Sequence, residues 1–253
     1  MIELIKSRLR RVGNYRVIHA RYRWGLDLFD DLDKLIKPED VRVVFDVGAN
    51  VGNTAKLYLG HFPSATVHAF EPVKITFGQL QKAVGDDSRA RLHNLAASDT
   101  SGIATIRKFD NSQSSTLNTG LSDNLRVISS GEEQIETSRI DALIPKLGIE
   151  RIDFMKIDVE GFEKNVLLGC GDYLRPDFIR FIFFECYRIG DSVAFPSTHT
   201  QLADVNRLLD SKGYRFITLY TEALARVDPV GSYNALYGPL KLELAVAGPP
   251  LFG

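Results

Sequence analysis

Along most of this chain, short apolar runs alternate with stretches in which apolar residues recur at helical spacing. Val43, Val44 and Phe45 form one such run, with the length and the β-branched character of a buried strand. After a glycine turn, positions 55, 58, 59 and 62 place Ala, Tyr, Leu and Phe on one helical face, which Pro63 ends. The pattern therefore predicts a strand, a tight turn and a helix, in that order.

The same alternation continues to the end of the chain. Further strands are predicted at 66–70, 90–97, 102–109, 134–140, 152–157, 179–186, 215–220 and 240–247, and helices at 26–36, 73–84, 141–148, 162–170 and 198–212, with Asp141 as a helix cap. Alternating strands and helices are typical of an α/β fold, and the last two strands fit an antiparallel hairpin. Residues 41–253 are long enough for one such domain, preceded by a basic helical extension at 1–40.

The first strand and its glycine turn are a candidate ligand site. Gly48 and Gly52 let the backbone approach a nucleotide-like ligand closely, and the helix that follows offers free N–H groups. The second predicted strand ends in Glu71, where a carboxylate would accept hydrogen bonds from a ribose diol. The alternative for Glu71 is a surface acid that caps the next helix. The third strand, which ends in Ser98 and Asp99, is suited to the base of the same nucleotide.

Acidic residues also end two later strands. Asp158 and Glu160 follow the strand at 152–157, and Glu185 lies at the end of the strand at 179–186. Three acids around one crevice are costly to keep together without a ligand, a cation or a proton, so they predict a functional role for at least one. Helix capping is the competing explanation, and it applies most strongly to Glu163.

Composition narrows the choice of function and location. The net charge of −1 argues against binding to bulk nucleic acid, and no apolar run has the length of a membrane helix. Two cysteines form no disulfide framework, which predicts a cytoplasmic protein with buried, inert thiols. Before Gly25, seven Lys and Arg residues stand against Glu3 alone. This basic segment is either a solvated helical extension or a cap that contacts an anionic surface or substrate.

Two loops are candidates for the acceptor side of the site. The segment at 110–131 is polar and without a clear period, and we expect part of a substrate site there, around Ser114 and Ser115. His199 lies where a later loop enters a helix, and a surface or capping role is the alternative to a catalytic one. The remaining histidines are too scattered to suggest a metal site.

Three of these motifs together resemble the FkbM family of S-adenosylmethionine-dependent methyltransferases. They are Asp-Val-Gly-Ala-Asn-Val-Gly at 46–52, Phe-Glu-Pro at 70–72 and Lys-Ile-Asp-Val-Glu-Gly-Phe-Glu at 156–163. The resemblance covers about residues 41–213. It implies a class I methyltransferase (Rossmann-like) fold, in which a seven-stranded, mostly parallel sheet has helices on both faces and an antiparallel last strand. It also implies O-methylation of a hydroxyl on a sugar, glycan or natural product.

The resemblance also assigns roles to residues. It places Asp46, Gly48, Asn50, Gly52 and Asn53 around the methionine and ribose parts of S-adenosylmethionine, Glu71 at the ribose hydroxyls, Ala97 near the adenine, and Asp158 at the sulfonium. The acceptor hydroxyl needs a base or a metal. Asp158, Glu160 and Glu185 are the candidate bases, with His199 in reserve, and a divalent ion held by Asp158 and Glu185 is an open alternative.

Two other functions compete with methyl transfer. One is a non-catalytic nucleotide-binding module of the same fold. The other is an NAD-dependent oxidoreductase, which also combines a strand, a turn and an acid. The Gly-x-Gly-x-x-Gly turn of that class is absent, because Gly48 is followed by Ala49 and Asn50 before the next glycine, Gly52.

Overall fold

The computed structural model describes residues 24–109, 129–187, 202–221 and 232–239. Within them ten strands form two sheets. The strands are β1 (Val43–Val47), β2 (Thr66–Phe70), β3 (Ala90–His93), β4 (Ala96–Ala97), β5 (Gly102–Phe109), β6 (Ser129–Ser138), β7 (Ile152–Ile157), β8 (Ile179–Tyr187), β9 (Tyr214–Thr221) and β10 (Ser232–Pro239). The larger sheet has the order β3-β2-β1-β7-β8-β10-β9, and the smaller has the order β4-β6-β5.

The larger sheet is doubly wound and mostly parallel. Strands β1, β2, β3, β7 and β8 pair in parallel, whereas β10 runs antiparallel to both of its neighbours, β8 and β9. The chain leaves β1 toward β2 on one side and returns to β7 on the other. The carboxyl ends of β1 and β7 therefore meet at the point where the winding reverses, where open α/β sheets bind ligands.

Helices cover both faces of this sheet. The described helices are α1 (Leu28–Leu32), α2 (Asn53–His61), α3 (Lys74–Val84), α4 (Ile140–Leu147), α5 (Glu163–Gly169) and α6 (Leu202–Ser211). Side chains that alternate between the two faces of a strand divide the core in two. Val44 packs in a cluster with α1, α2 and α3, whereas the next residue, Phe45, packs in a cluster with α4, α5 and α6. The predicted fold class, a seven-stranded sheet with helices on both faces and an antiparallel last strand, is confirmed.

Several element boundaries differ from the sequence prediction. The strand expected at 90–97 is two strands in two sheets, and between them the Asn94 amide donates to the carbonyl oxygens of Glu71 and Pro72. The strand expected from 134 begins at Ser129. Asp141 is not a helix cap: Arg139 holds that position. The last described strand is Ser232–Pro239, and the strand predicted at 240–247 lies outside the described residues.

The segment before β1 packs onto the sheet. Leu32 and Ile36 are buried in the same cluster as Val44. The Asp31 carboxylate is 1% exposed and accepts a hydrogen bond from the Tyr220 hydroxyl on edge strand β9, at 2.8 Å. Residues 28–36 are thereby tied to the far edge of the same sheet. In the described part of the chain, every helix is too short or too polar to cross a membrane.

Candidate functional site

A cavity lies at the carboxyl ends of β1, β2 and β7, where the winding of the sheet reverses. It is lined by Val47, Gly48, Asn50, Phe70, Glu71, Pro72, Val73, Thr76, Leu95, Ala96, Ala97, Ile106, Ile135, Asp158, Val159, Glu160 and Phe162. All three acids of this lining, Glu71, Asp158 and Glu160, come from loops that follow strands of the larger sheet. None of these lining residues is Lys or Arg, so the charge that the wall presents to a ligand is negative.

The glycine turn is held by hydrogen bonds within the protein. The N–H groups of Gly48 and Ala49 both donate to the Phe70 carbonyl oxygen, at 3.0 Å. Gly48 has φ +76°, and a Cβ at this position would lie 1.8 Å from the Asp158 carbonyl oxygen. Only glycine fits there, because the backbone after β7 passes directly against it.

Asn50 presents an unsatisfied polar atom at this turn. Its backbone is left-handed, with φ +50°, a conformation that asparagine tolerates better than most residues. Its side-chain Oδ1 is buried and accepts no hydrogen bond from the described residues. A buried acceptor of this kind is costly unless a ligand or a water satisfies it.

Glu71 lies at the end of β2 and is 7% exposed. Its Oε2 accepts the Asn50 N–H at 3.1 Å, and its Oε1 accepts the Val73 N–H at 2.9 Å. Burial raises the pKa of Glu71 to about 7, although the two backbone N–H groups oppose the shift. The carboxylate is thus fixed beside the glycine turn and lines the cavity.

The loop after β7 carries Asp158 and Glu160 into the cavity lining. Glu160 has φ +54° and Gly161 has φ +101°, so the loop makes two left-handed steps. Glu163 supports it from beneath: its Oε1 accepts the N–H groups of Val159 and Gly161, at 3.2 and 3.1 Å. Glu163 begins the helix Glu163–Gly169, which suits an acid near a helix N-terminus, but it makes no side-chain cap: its carboxylate binds the loop before the helix instead.

Behind the cavity wall, Lys156 connects the two motifs. Its ammonium group is 2.7 Å from the Gly48 carbonyl oxygen and 3.4 Å from both Asp46 Oδ1 and Asp158 Oδ2. Asp46 is fully buried and also accepts a hydrogen bond from the Thr54 hydroxyl at 2.7 Å. Burial lowers the pKa of Lys156, but the two carboxylates raise it more, so the amine stays protonated. Sequence reasoning quoted this lysine in its motif without giving it a role.

The smaller sheet supplies an apolar wall that sequence reasoning missed. Ile106 of β5 and Ile135 of β6 are buried with Val73 and Ala96 in a cluster of their own, and all four line the cavity. The sequence predicted a strand at 102–109 without showing which of its residues would be buried. Which of its faces meets the cavity depends on how β4, β5 and β6 pair.

The structure brings most of the predicted site residues together, and not all of them. Gly48, Asn50, Glu71, Ala97, Asp158 and Glu160 line one cavity. Asp46, Gly52, Asn53 and Glu185 are outside its lining. Of these, Gly52 packs on α3, where a Cβ would lie 2.9 Å from Leu80, and Asn53 is an exposed residue at the start of α2. Asp99 also does not line the cavity, because Ser98 and Asn165 donate to its carboxylate.

Glu185 lies one position beyond Phe184 on β8, and Phe184 is level with Ile157 at the end of β7. It therefore adjoins the strand that carries Asp158 without reaching the cavity lining. Ser114, Ser115, His199 and the basic segment before residue 24 lie outside the described residues. In the part of the chain that the structure describes, no three His, Cys, Asp or Glu side chains are grouped to hold a metal ion.

A doubly wound sheet with an antiparallel strand between β8 and β9, and a ligand crevice flanked by a glycine turn and an acid after β2, defines a class I methyltransferase fold. The family model described as "Methyltransferase FkbM domain" matches residues 46–216. The chain belongs to this family, and the resemblance inferred from its motifs is confirmed. S-adenosylmethionine is the cofactor that the family implies.

Named relatives share part of the chain. It is 32% identical to the 31-O-demethyl-FK506 methyltransferase FkbM of Streptomyces tacrolimicus over 162 residues, which cover 54% of this chain and 62% of the relative. It is 30% identical to the 2-O-methyltransferase NoeI of Sinorhizobium fredii, with 60% and 65% covered. The match thus spans less than two thirds of either relative. Among solved structures, the METTL16 MTase domain aligns at 11% identity and a TM-score of 0.47, over 83% of this chain and 64% of that one.

Proposed function

We propose that this protein transfers the methyl group of S-adenosylmethionine to a hydroxyl group of a sugar, glycan or natural-product acceptor. One of the two relatives just described is named a 2-O-methyltransferase and the other a 31-O-demethyl-FK506 methyltransferase, and these names support oxygen as the methyl acceptor. The observation that carries the proposal is the position of Glu71, a buried carboxylate bound to the Asn50 N–H inside the cavity at the switch point.

The residues of the cavity fit this cofactor. Glu71 has lone pairs left to accept the two ribose hydroxyls, and the buried Asn50 Oδ1 needs a donor that the described residues do not provide. The apolar wall that Ala97, Ile106 and Ile135 form suits a flat base. Asp158 and Glu160 add negative charge, which favours a sulfonium cation.

The same features argue against a dinucleotide. Dinucleotide sites direct backbone N–H groups at a pyrophosphate. In this protein the N–H groups of Gly48 and Ala49 donate to Phe70, and that of Asn50 donates to Glu71. A diphosphate would also face the carboxylates without a cationic side chain in the lining. The oxidoreductase alternative is therefore disfavoured.

The chemistry requires an in-line approach and removal of a proton. When bound, S-adenosylmethionine supplies an electrophilic methyl group: the carbon–sulfur bond breaks with its electron pair on sulfur as a carbon–oxygen bond forms. The protein's part is to hold the acceptor hydroxyl about 3 Å from the methyl carbon and to accept its proton. We propose Asp158 or Glu160 as the base, since both line the cavity, with Glu185 on the adjacent strand as a further candidate.

Calorimetric titration tests the placement of the cofactor. We expect the wild-type protein to bind S-adenosylmethionine and not NAD, and Glu71→Ala to weaken that binding at least tenfold. Glu150→Ala is the matched control, because Glu150 is an exposed acid in the loop between α4 and β7. Equal affinity of wild type and Glu71→Ala would contradict the proposed site.

Labelled-methyl transfer to a panel of sugar, glycan and natural-product hydroxyls tests the reaction. Asp158→Asn and Glu160→Gln should each weaken S-adenosylmethionine binding, because each removes a negative charge from the cavity lining. At saturating S-adenosylmethionine, turnover should fall further in the variant that lacks the base than in the other. Wild-type turnover in both would remove these two residues as candidates. If binding occurs but no acceptor is methylated, the non-catalytic binding module becomes the better explanation.

Activity that survives a chelator would exclude a divalent ion at Asp158 and Glu185. A cytoplasmic location stays a prediction from cysteine content.

A further inference from the structure

Lys156 is a buried cation directly behind the cavity, and it does not belong to the lining. The residue is 4% exposed, lies level with Asp46 on the neighbouring strand, and is 3.4 Å from both the Asp46 and the Asp158 carboxylates. The two carboxylates and the one ammonium group at this point carry a net charge of −1. Without the lysine, two carboxylates would act on the same end of the cavity.

The charge at this point matters because methyl transfer changes the charge of the bound cofactor. It is a sulfonium cation before transfer and a neutral thioether afterwards, so a negative field stabilises the starting state more than the transition state or the product. An excess of negative charge would bind the cofactor more tightly and slow its reaction.

We propose that Lys156 is a positioning residue that offsets one of the two carboxylates and so limits the preference of the site for sulfonium over thioether. Its hydrogen bond to the Gly48 carbonyl oxygen, at 2.7 Å, fixes the ammonium group between the loops after β1 and β7. This inference rests on the proposed placement of the cofactor in the cavity. It adds a role for the net charge beside the cavity, whereas the proposed function concerns only which residues contact the ligand.

The measurement is the ratio of the dissociation constants for S-adenosylhomocysteine and S-adenosylmethionine, obtained by calorimetry with purified protein. Lys156→Met keeps the length of the side chain and removes its charge. We expect the ratio to rise about tenfold, because the sulfonium form gains affinity relative to the thioether. In turnover assays the KM for S-adenosylmethionine should fall together with kcat. A purely structural role would weaken both ligands equally and leave the ratio unchanged.

Asp46→Asn is the opposite test, because it removes one negative charge and keeps the lysine. Its ratio should fall about tenfold. The double variant Asp46→Asn/Lys156→Met restores the original net charge although the bond to Gly48 is still missing, and its ratio should return to the wild-type value. If Lys156→Met does not fold, Asp46→Asn and the double variant still decide the question.

The inference is overturned if Asp46→Asn leaves the ratio at the wild-type value, or if the double variant differs from wild type as much as a single variant does. Failure of the proposed site would look different: wild-type and Glu71→Ala proteins would then bind S-adenosylmethionine equally well, or neither would bind it. Lys156→Arg, which keeps the charge, should retain the wild-type ratio and provides a control for packing.

Discussion

Glu71 shows how burial and hydrogen bonding act against each other on one residue. Burial raises its pKa to about 7, whereas the N–H groups of Val73 and Asn50 favour the ionised form. The carboxylate therefore changes its charge close to neutral pH while it faces the cavity. In the folded protein the pKa of Glu71 lies above its ordinary value of 4.5, so its destabilising effect is present above pH 7 and is relieved as the pH falls toward 4.5.

Cofactor affinity should therefore depend on pH through Glu71. The ionised carboxylate accepts ribose hydroxyls, and protonation competes with that role below about pH 7. We expect the association constant for S-adenosylmethionine to fall about tenfold from pH 8 to pH 6 in calorimetric titrations. Glu71→Gln should bind more weakly and lose most of this slope. A variant that kept the wild-type slope would show that another group titrates.

Gly48 is fixed by its contact with the backbone at Asp158. A methyl group at this position would meet a carbonyl oxygen at 1.8 Å, and the positive φ adds strain. Gly48→Ala should lower the free energy of unfolding by about 4 kcal/mol or more in urea denaturation. Gly60, on α2, has open space around its Cβ position, so Gly60→Ala should stabilise the protein by about 0.5–1 kcal/mol. Similar values for both variants would contradict this account.

At the scale of elements, the smaller sheet completes the cavity. Strand β5 presents alternate faces: Ile106 is 4% exposed and lines the cavity, whereas Ile103, three positions earlier, is 71% exposed. An odd separation along a strand places two side chains on opposite faces. Ile103 and Ile106 therefore lie on one strand in opposite environments, so a substitution at Ile103 is a matched control for one at Ile106.

Ile106→Ala should weaken S-adenosylmethionine binding about three- to tenfold, because apolar surface that would cover the base is lost. Ile103→Ala on the same strand should leave the affinity within about twofold of wild type. Calorimetric titration of the two variants, with circular dichroism to verify folding, measures the difference. Equal losses in both would place the base elsewhere than against the smaller sheet.

At the scale of the whole molecule, residues well before the matched family region belong to the packed core. Leu32 is 1% exposed on α1, and the neighbouring Asp31 binds the Tyr220 hydroxyl on the edge strand β9. Leu32 and Tyr220 belong to the same core cluster, so these contacts join distant parts of the chain on one face of the sheet. In this packing, residues 28–36 share one core with β1.

Leu32→Ala should lower the free energy of unfolding by about 2–5 kcal/mol, as expected for a cavity in a core. Leu57, on α2, is 56% exposed, so Leu57→Ala should change it by no more than about 0.5 kcal/mol. Urea denaturation monitored by circular dichroism gives both values. A small effect of Leu32→Ala would show that α1 unfolds independently of the sheet.

The amino-acid sequence alone was enough to predict the order of most strands and helices, the junction after β1 and the acids at the strand ends. These features depend on local properties: apolar periodicity, the conformational freedom of glycine and the position of a residue at the end of a strand. Glu71 could be assigned to the crevice from them alone. The α/β class followed from the alternation of strands and helices, and the class I methyltransferase fold from the resemblance of three motifs to the FkbM family.

Folding brings only some of those residues into one cavity. It left Asp46, Gly52, Asn53 and Glu185 outside the lining, split the strand at 90–97 between two sheets, and placed Lys156 between two carboxylates. These outcomes depend on how strands distant in sequence pair and on which face of a strand turns inward. No local pattern specifies such pairings, because their free energy comes from contacts that exist only after the chain has folded.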